Sequence, residues 1–399
     1  MKSQFEFVCL MALLMSLAAL AIDAILPALA IIRTEFQVQN VNDTQFVISS
    51  LFFGLSIGQL FYGPLSDSYG RKPIIYFGVI LFILGCILSV LSTSFEILLL
   101  SRFLQGIGVA STRIVSLAIV RDQFTGNSMA KIMSLITMVF VIVPAIAPSI
   151  GQIILSFTKW RSIFVLLMAL ALIGLIWLKF RLTETHPKEA RSKLSLLQIK
   201  LSVIELWQHR PTLIHTISSG IIFGAFLGYI FSAQQIFQEI YYLKEEFPYY
   251  FGVLAIANGI SSFINSKLVE KFGMLKLVKY ALYNLNITSA LYLAYSLYLA
   301  EQPSLLIFML YMLISFGSMG ILFGNLNSLA MAPHGHIAGV ASAFISTLQN
   351  VFSITLAVVI GMSFNQTTLP LVGGYLILSL LAQFMQSFTR KNELAKSYP

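Results

Sequence analysis

The chain predicts an all-α polytopic membrane protein, with twelve transmembrane helices in two halves of six. Three observations predict it. Hydrophobic residues make up 57% of the 399 residues and charged residues only 10%, against about 25% charged in soluble domains. The apolar residues fall in stretches long enough to cross a bilayer, which takes about 20 residues per helix. The lysines and arginines sort onto one set of loops.

In chain order the spans are predicted at 7–31, 44–65, 74–94, 95–120, 129–155, 162–180, 212–235, 249–267, 277–299, 303–331, 337–362 and 369–388. Turn residues mark their edges: Gly63-Pro64, Gly126-Asn127, Pro211, Pro248, Pro303, Pro333 and Pro370. Lys2 followed by an apolar run and Ala28-Leu29-Ala30 has the look of a cleaved leader. The run is long enough to span and further spans follow closely, so it is expected to remain as the first helix. With both termini on one side, that side and its loops hold nineteen Lys and Arg against four on the other, Arg33, Lys159, Arg161 and Lys244. The positive-inside rule then puts both termini in the cytoplasm. The net charge of +9 is thereby read as membrane orientation and not as nucleic-acid binding.

The longest loop, 181–211, separates an N-terminal half (1–180) from a C-terminal half (212–399). Within it Leu194, Leu197, Leu201, Ile204 and Trp207 recur at helical spacing, with Lys193, Lys200 and Glu205 between. That pattern predicts a helix lying in the membrane interface, as a tether or a regulatory element. A faint repeat joins the halves. Gly63-Pro-Leu-Ser-Asp67-Ser-Tyr-Gly70 and Ser266-Lys-Leu-Val-Glu270-Lys-Phe-Gly273 share small, Leu, acidic and Gly positions. Duplicated halves are a transporter architecture with the site near the midplane.

Two ionisable residues sit inside spans, where each costs at least ~2.5–3.5 kcal/mol. Asp23 lies in the first span and Arg102 in the fourth. Both are expected at roughly 10–12 Å below the outer surface from the helical rise, so they are able to meet. Either they form a proton-releasing pair whose hydration changes between states, or a permanent buried ion pair. Arg113 follows Arg102 on nearly the same face. It either attracts an anionic group or donates to backbone carbonyls. Gly106 and Gly108 are expected to let a neighbouring helix approach. Pro144, Pro148 and Gly151 interrupt the fifth span as a gating hinge or a static kink. In the second half Phe226, Tyr229, Gln234 and Asn325, with Gln105 from the first, are candidates to line an apolar, aromatic cavity.

Gly63-Pro-Leu-Ser-Asp67-Ser-Tyr-Gly70-Arg71-Lys72 closely resembles the loop 2–3 motif of the major facilitator superfamily, and Arg102-Phe-Leu-Gln105-Gly106-Ile-Gly108 resembles its span-four motif. Asp23 before Leu26-Pro27-Ala28-Leu29, Arg113 ahead of Arg121-Asp122, Pro144 to Gln152, Trp160-Arg161, and Gly324-Asn325 through Ala338 to Ser342 resemble the Bcr/CflA-type drug:proton antiporters, associated with bicyclomycin and chloramphenicol resistance. The resemblance implies the major facilitator fold and export of lipophilic drugs or small metabolites in exchange for protons by alternating access. It implies that Gly63, Asp67, Gly70, Arg71 and Asp122 form a cytoplasmic gate. The span-five motif departs from the family pattern: Val143, Ala147 and Gln152 stand where glycines are usual, and only Pro148 and Gly151 match.

Other classes fit less well. There is no phosphate-binding Gly-rich Lys-Ser/Thr loop for ATP. No nucleophile with a base marks an intramembrane enzyme, and a lipid scramblase is a remote alternative. The five histidines form no pair that reads as a metal site, and Cys9 and Cys86 are expected to be small buried hydrophobes. A proton-coupled importer, or a narrow metabolite or siderophore exporter, remains open on the same fold. No cofactor is expected, only the proton gradient. The partners are the lipid bilayer, protons and a small-molecule substrate, and the chain is expected to work as a monomer in the bacterial inner membrane.

Overall fold

The computed structural model describes residues 4–191, 196–299 and 302–396. Lys2, Lys193 and Leu194, used in the sequence reading, lie outside the described residues. Among the described residues every regular element is helical. The chain divides into two compact units, Met1–Leu196 and Leu197–Pro399.

The first unit holds α1 (Gln4–Asp23), α2 (Leu29–Glu35), α3 (Phe46–Tyr69), α4 (Arg71–Val90), α5 (Phe95–Gln123), α6 (Gly126–Phe157) and α7 (Arg161–Arg181). The second holds α8 (Leu196–Gln208), α9 (Arg210–Gln235), α10 (Phe247–Phe272), α11 (Met274–Leu299), α12 (Leu305–Met331), α13 (Ala338–Met362) and α14 (Leu369–Lys396). Among the described residues ten helical segments are long and apolar enough to cross a membrane. The sequence predicts twelve. The two expected spans outside the ten are helical: α6 (Gly126–Phe157) and α11. Polar residues lower the hydropathy of α11 because they serve its neighbours. Asn284 donates to Ser318 Oγ at 2.9 Å, Ser289 pairs with Tyr311 at 2.9 Å, and Asn286 bonds Gln383 and Ser379.

Two predicted boundaries shift for clear reasons. The first span is not one helix. α1 stops at Asp23, a 3-10 turn covers Leu26–Ala28, and α2 resumes at Leu29. Pro27, four residues after Asp23, has no N–H to close the helical bond to the Asp23 carbonyl. In contrast, Gly63-Pro64 does not end the second span. α3 carries Pro64 inside it and stops only at Gly70, whose φ of +102° suits glycine.

In the first unit α5 is the central post, because small residues bring α3 and α4 into backbone contact with it. A Cβ on Gly54 would lie 2.1 Å from the Phe103 carbonyl oxygen, and one on Gly106 would lie 2.0 Å from that of Leu51. This close approach replaces the missing hydrophobic drive between helices in lipid. Each end of the unit is pinned. At one, Glu35 accepts from Trp160 Nε1 at 2.6 Å and pairs with Arg161 at 2.5 Å. At the other, Glu6 joins Arg181, whose Nη2 donates to it at 2.8 Å.

In the second unit α9 is central and nearly all buried. His209 caps its start, with Nδ1 accepting from the Thr212 N–H at 3.3 Å. It ends in a π-turn at Ile236–Ile240. The linker segment forms α8 as predicted. Leu197, Leu201, Ile204 and Trp207 are exposed along it while Leu206 is fully buried.

Replacing Gly106 by valine tests the α3–α5 contact. Overpacking costs typically 1–3 kcal/mol, and here the obstacle is backbone. The variant is expected to lose several degrees of melting temperature in detergent and most of its membrane yield, whereas Gly63→Ala, where nothing lies within 4 Å, stays near wild type.

Candidate functional site

The break after Asp23 organises the polar interior of the first unit. A helix end leaves carbonyls without intrahelical donors. Arg102, fully buried on α5, supplies one of the missing donors: its Nη2 donates to the Ala21 carbonyl at 2.6 Å. Its Nε donates to the Val47 carbonyl on α3 at 3.0 Å, and its Nη1 to Gln105 Oε1 at 2.7 Å. Gln105 passes the chain on to Ser89 Oγ at 2.7 Å, and Ser89 meets Ser101 at 2.6 Å. The Phe164 ring lies 5.6 Å from the guanidinium. One arginine thus ties α1, α3 and α5, and its hydrogen bonds to carbonyl and amide oxygens spread the buried charge.

Asp23 is only 4% exposed, and its Oδ1 has no hydrogen-bond partner among the described residues. The sequence brings Asp23 and Arg102 to one level. The structure places the guanidinium on the backbone two residues before Asp23, and among the described residues no ion pair joins the two side chains. One α1 carbonyl at the break, that of Ala21, is occupied by Arg102, leaving the carboxyl as a separate buried group. Gly151 closes this region from α6. A Cβ there would stand 1.9 Å from the Ala24 carbonyl oxygen. Pro144 and Pro148 lie inside α6, which continues as one helix through both.

The other predicted site residues divide between buried and accessible. Arg113, further along α5, has an exposed side chain. Gln105 is fully buried in the network above. In the second unit Phe226 is half-buried and stacks on Phe223 at 5.8 Å, with Phe316 at 5.4 Å and Phe323 at 5.7 Å. Tyr229 is buried against Phe316 and Phe251. Gln234 donates to Gln238 one turn along at 2.8 Å, and Asn325 donates to Asn265 at 2.8 Å, which joins α12 to α10.

The loop motif forms one cluster. Arg71, 6% exposed, pairs with Asp67, with Ser66 Oγ at 2.8 Å and with Asp122 at 2.9 Å. Gly63 sits one turn back on α3, and Gly70 makes the corner. Sequence reasoning missed Glu184. Its carboxylate accepts the backbone N–H groups of Arg71 and Lys72, each at 3.0 Å, and so caps α4 from a distant loop. Lys72 Nζ reciprocates by donating to the Leu182 carbonyl at the end of α7, at 2.6 Å. The available signal is Glu184 itself, an acid standing between the end of the sixth span and Pro187 in a basic loop. Burial acts to raise the Glu184 carboxyl, but donors from His186, Arg71, Lys72 and Thr185 outweigh it and hold the group below its ordinary value.

Two outcomes follow from this geometry. Gly151→Ala is expected to push α6 away from the break and to lower transport at least ten-fold while the protein still inserts, measured as transport per folded molecule. Glu184→Gln is expected to cost about 1 kcal/mol at neutral pH. A depressed folded-state value means that the contribution is complete above the ordinary unfolded value of about 4.3 and is lost as pH falls through the lower folded value. Melting curves of wild type and E184Q should therefore differ at pH 7 and converge only as pH falls through the lowered folded-state value.

The model of the Major Facilitator Superfamily matches residues 11–358. A bicyclomycin resistance protein homolog of Haemophilus influenzae is 32% identical over 282 residues, covering 70% of this chain and 71% of that one. The multidrug resistance protein MdtL of Escherichia fergusonii is 28% identical, with 86% of each chain covered. The crystal structure of a D-xylose-proton symporter superposes with a TM-score of 0.78 at 17% identity, covering 96% of this chain and 97% of that one. That likeness carries the fold alone. With the membrane-crossing helices, these matches make the molecule a multi-pass transporter and not an enzyme. The chain belongs to the Major Facilitator Superfamily, on the Bcr/CflA-type branch that the bicyclomycin and multidrug resistance relatives mark.

Proposed function

We propose that this transporter exports lipophilic drugs or small metabolites in exchange for protons by alternating access. In this reading twelve spans cross the bacterial inner membrane and both termini are cytoplasmic. The observation that carries it is Asp23. A carboxyl is held inside a membrane-crossing segment, at a broken turn, with an oxygen that no protein donor fills. A structural carboxylate in such surroundings needs partners. A carboxyl that accepts and releases a proton needs to be without fixed ones. The names of the bicyclomycin and multidrug resistance relatives support export of drugs.

Arg102 would link proton occupancy to structure. With Asp23 neutral, the guanidinium rests on the Ala21 and Val47 carbonyls. When Asp23 ionises, the negative charge competes for the guanidinium and draws it off Ala21, loosening the end of α1 where Gly151 abuts Ala24. Proton release and a shift of the broken turn then become one event. One proton moving down 100 mV supplies about 2.3 kcal/mol, enough to hold a substrate gradient of about fifty-fold. Arg113, with its accessible side chain, is assigned to attracting an anionic group from within the first unit. The cluster of Asp67, Arg71, Asp122 and Glu184 is assigned to keeping the cytoplasmic end of the first half in register as it moves.

Energised everted membrane vesicles with a pH-sensitive dye test this. Adding a panel of lipophilic drugs is expected to release protons in wild type and not in Asp23→Asn. Release that persists in the variant moves the coupling group elsewhere. Uptake of a nutrient with protons, and no drug response from well-expressed wild type, replaces export with symport.

A further inference from the structure

At the end of the first unit opposite Arg71, a cavity of about 720 Å³ opens where α4 and α6 finish and α7 begins. Its walls differ in character. Val90, Leu155, Phe157 and Val165 form an apolar side; Lys159 and Arg161, with nearby hydroxyls, form the polar side. Phe157 is 83% exposed and Val165 44%, so the apolar side continues onto the outer face of the helices. Arg161 is a fixed wall. Its three nitrogens go to Glu35, to the Val90 carbonyl at 3.2 Å and to the Ser92 carbonyl at 2.9 Å, and its guanidinium lies 4.3 Å from the Trp160 ring. Lys159 is exposed, and it joins no salt bridge among the described residues. Glu35 neutralises Arg161, so Lys159 leaves the mouth with one positive charge.

We propose that this cavity binds one anionic phospholipid of the leaflet at this end, with the phosphate on Lys159 and the upper acyl chain along Phe157 and Val165. The charge fits a phosphate, and the volume suits a glycerophosphate headgroup, within the roughly 300–1,000 Å³ of ordinary ligand sites. The exposed apolar wall favours a lipid over a free anion, because only a lipid fills both sides. The position is also mechanically placed. The cavity shares Arg161 with the Glu35–Trp160 pin that fastens α2 to α7, just beyond the broken turn of the first span. A lipid seated there would stiffen that pin. The inference needs the membrane setting but not the direction of transport, so its failure is separate from failure of the export reading.

The test uses the full-length protein in nanodiscs with photoreactive phosphatidylglycerol, and crosslinks mapped by mass spectrometry. Labelling is expected on the α6–α7 segment around 153–165, more strongly than with photoreactive phosphatidylethanolamine. Lys159→Gln should lower labelling there about five-fold, since one cation near a membrane surface contributes about 1 kcal/mol, while crosslinks elsewhere stay the same. Lys159→Arg should retain it, and Phe157→Ala should lower it without changing the melting temperature. Equal labelling of K159Q and wild type, or equal labelling by the two lipids, overturns the proposal. Loss of labelling on adding millimolar inorganic phosphate would show a small-anion site and overturn the lipid assignment.

Discussion

The first unit depends on one buried guanidinium. Arg102 replaces a hydrogen bond that the break in the first span removes, at the Ala21 carbonyl, and ties that end to α3 through the Val47 carbonyl. Without such a donor the Ala21 carbonyl would be an unsatisfied polar group in a place without water, which costs several kcal/mol. Proline at position 27 creates the break, and arginine at 102 makes it tolerable. Neither feature is understandable alone. A lysine at 102 would place a point charge there but would lack the flat fork that reaches α1, α3 and Gln105 at once.

The same device recurs at both ends of the unit. Arg71 gathers Asp67, Asp122 and Ser66 while its own backbone is capped by Glu184. Arg161 gathers Glu35 and the carbonyls of Val90 and Ser92. The two outer arginines have carboxylate partners and sit where water is near. The central one has carbonyl and amide partners only. That difference suits a transporter. End clusters hold helices in register by ion pairs that bulk water screens and weakens. In the centre a carboxylate welded to Arg102 would be a structural ion pair, unable to change its proton without breaking the unit. In the proposed exchange, keeping Asp23 apart from Arg102 is what would leave its proton free to move.

Much of this was legible in the sequence, for physical reasons. Apolar length and the placement of Lys and Arg reveal membrane helices because the bilayer imposes both. Asp67, Arg71 and Asp122 stood out as a group, and they do converge. Glycines 54 and 106 each abut the backbone of the opposite helix between α3 and α5, and the sequence flagged Gly106. What stayed hidden has a common character. Glu184 acts through backbone N–H groups 112 and 113 residues away, and no side-chain pattern announces a backbone partner. Ala21 and Val47 serve Arg102 with carbonyls, which every residue has. The direct Asp23–Arg102 pair was the natural expectation from side-chain charges alone, and backbone acceptors intervened. Gln234 and Asn325 likewise read as cavity groups by type, yet each finds an amide partner within its own unit.

The second unit shows the complementary strategy, and it bears on substrate range. Its interior has few charges, and several of its amides and hydroxyls pair between its own helices: Asn265 with Asn325, Asn286 with Gln383, Ser289 with Tyr311. The aromatic rings of Phe223, Phe226, Phe316 and Phe323 contact one another in edge and stacked arrangements. Such a surface offers area and polarisability and few fixed hydrogen bonds. A site that grips a sugar needs polar groups aimed at each hydroxyl, and rejects analogues that leave those groups unpaired. A surface whose polar groups are already paired carries no such penalty against varied apolar guests. The buried ionic groups Asp23, Arg71 and Arg102 all belong to the first unit, while the second unit offers aromatic area. In the proposed exchange, broad substrate range would then require no change around Asp23.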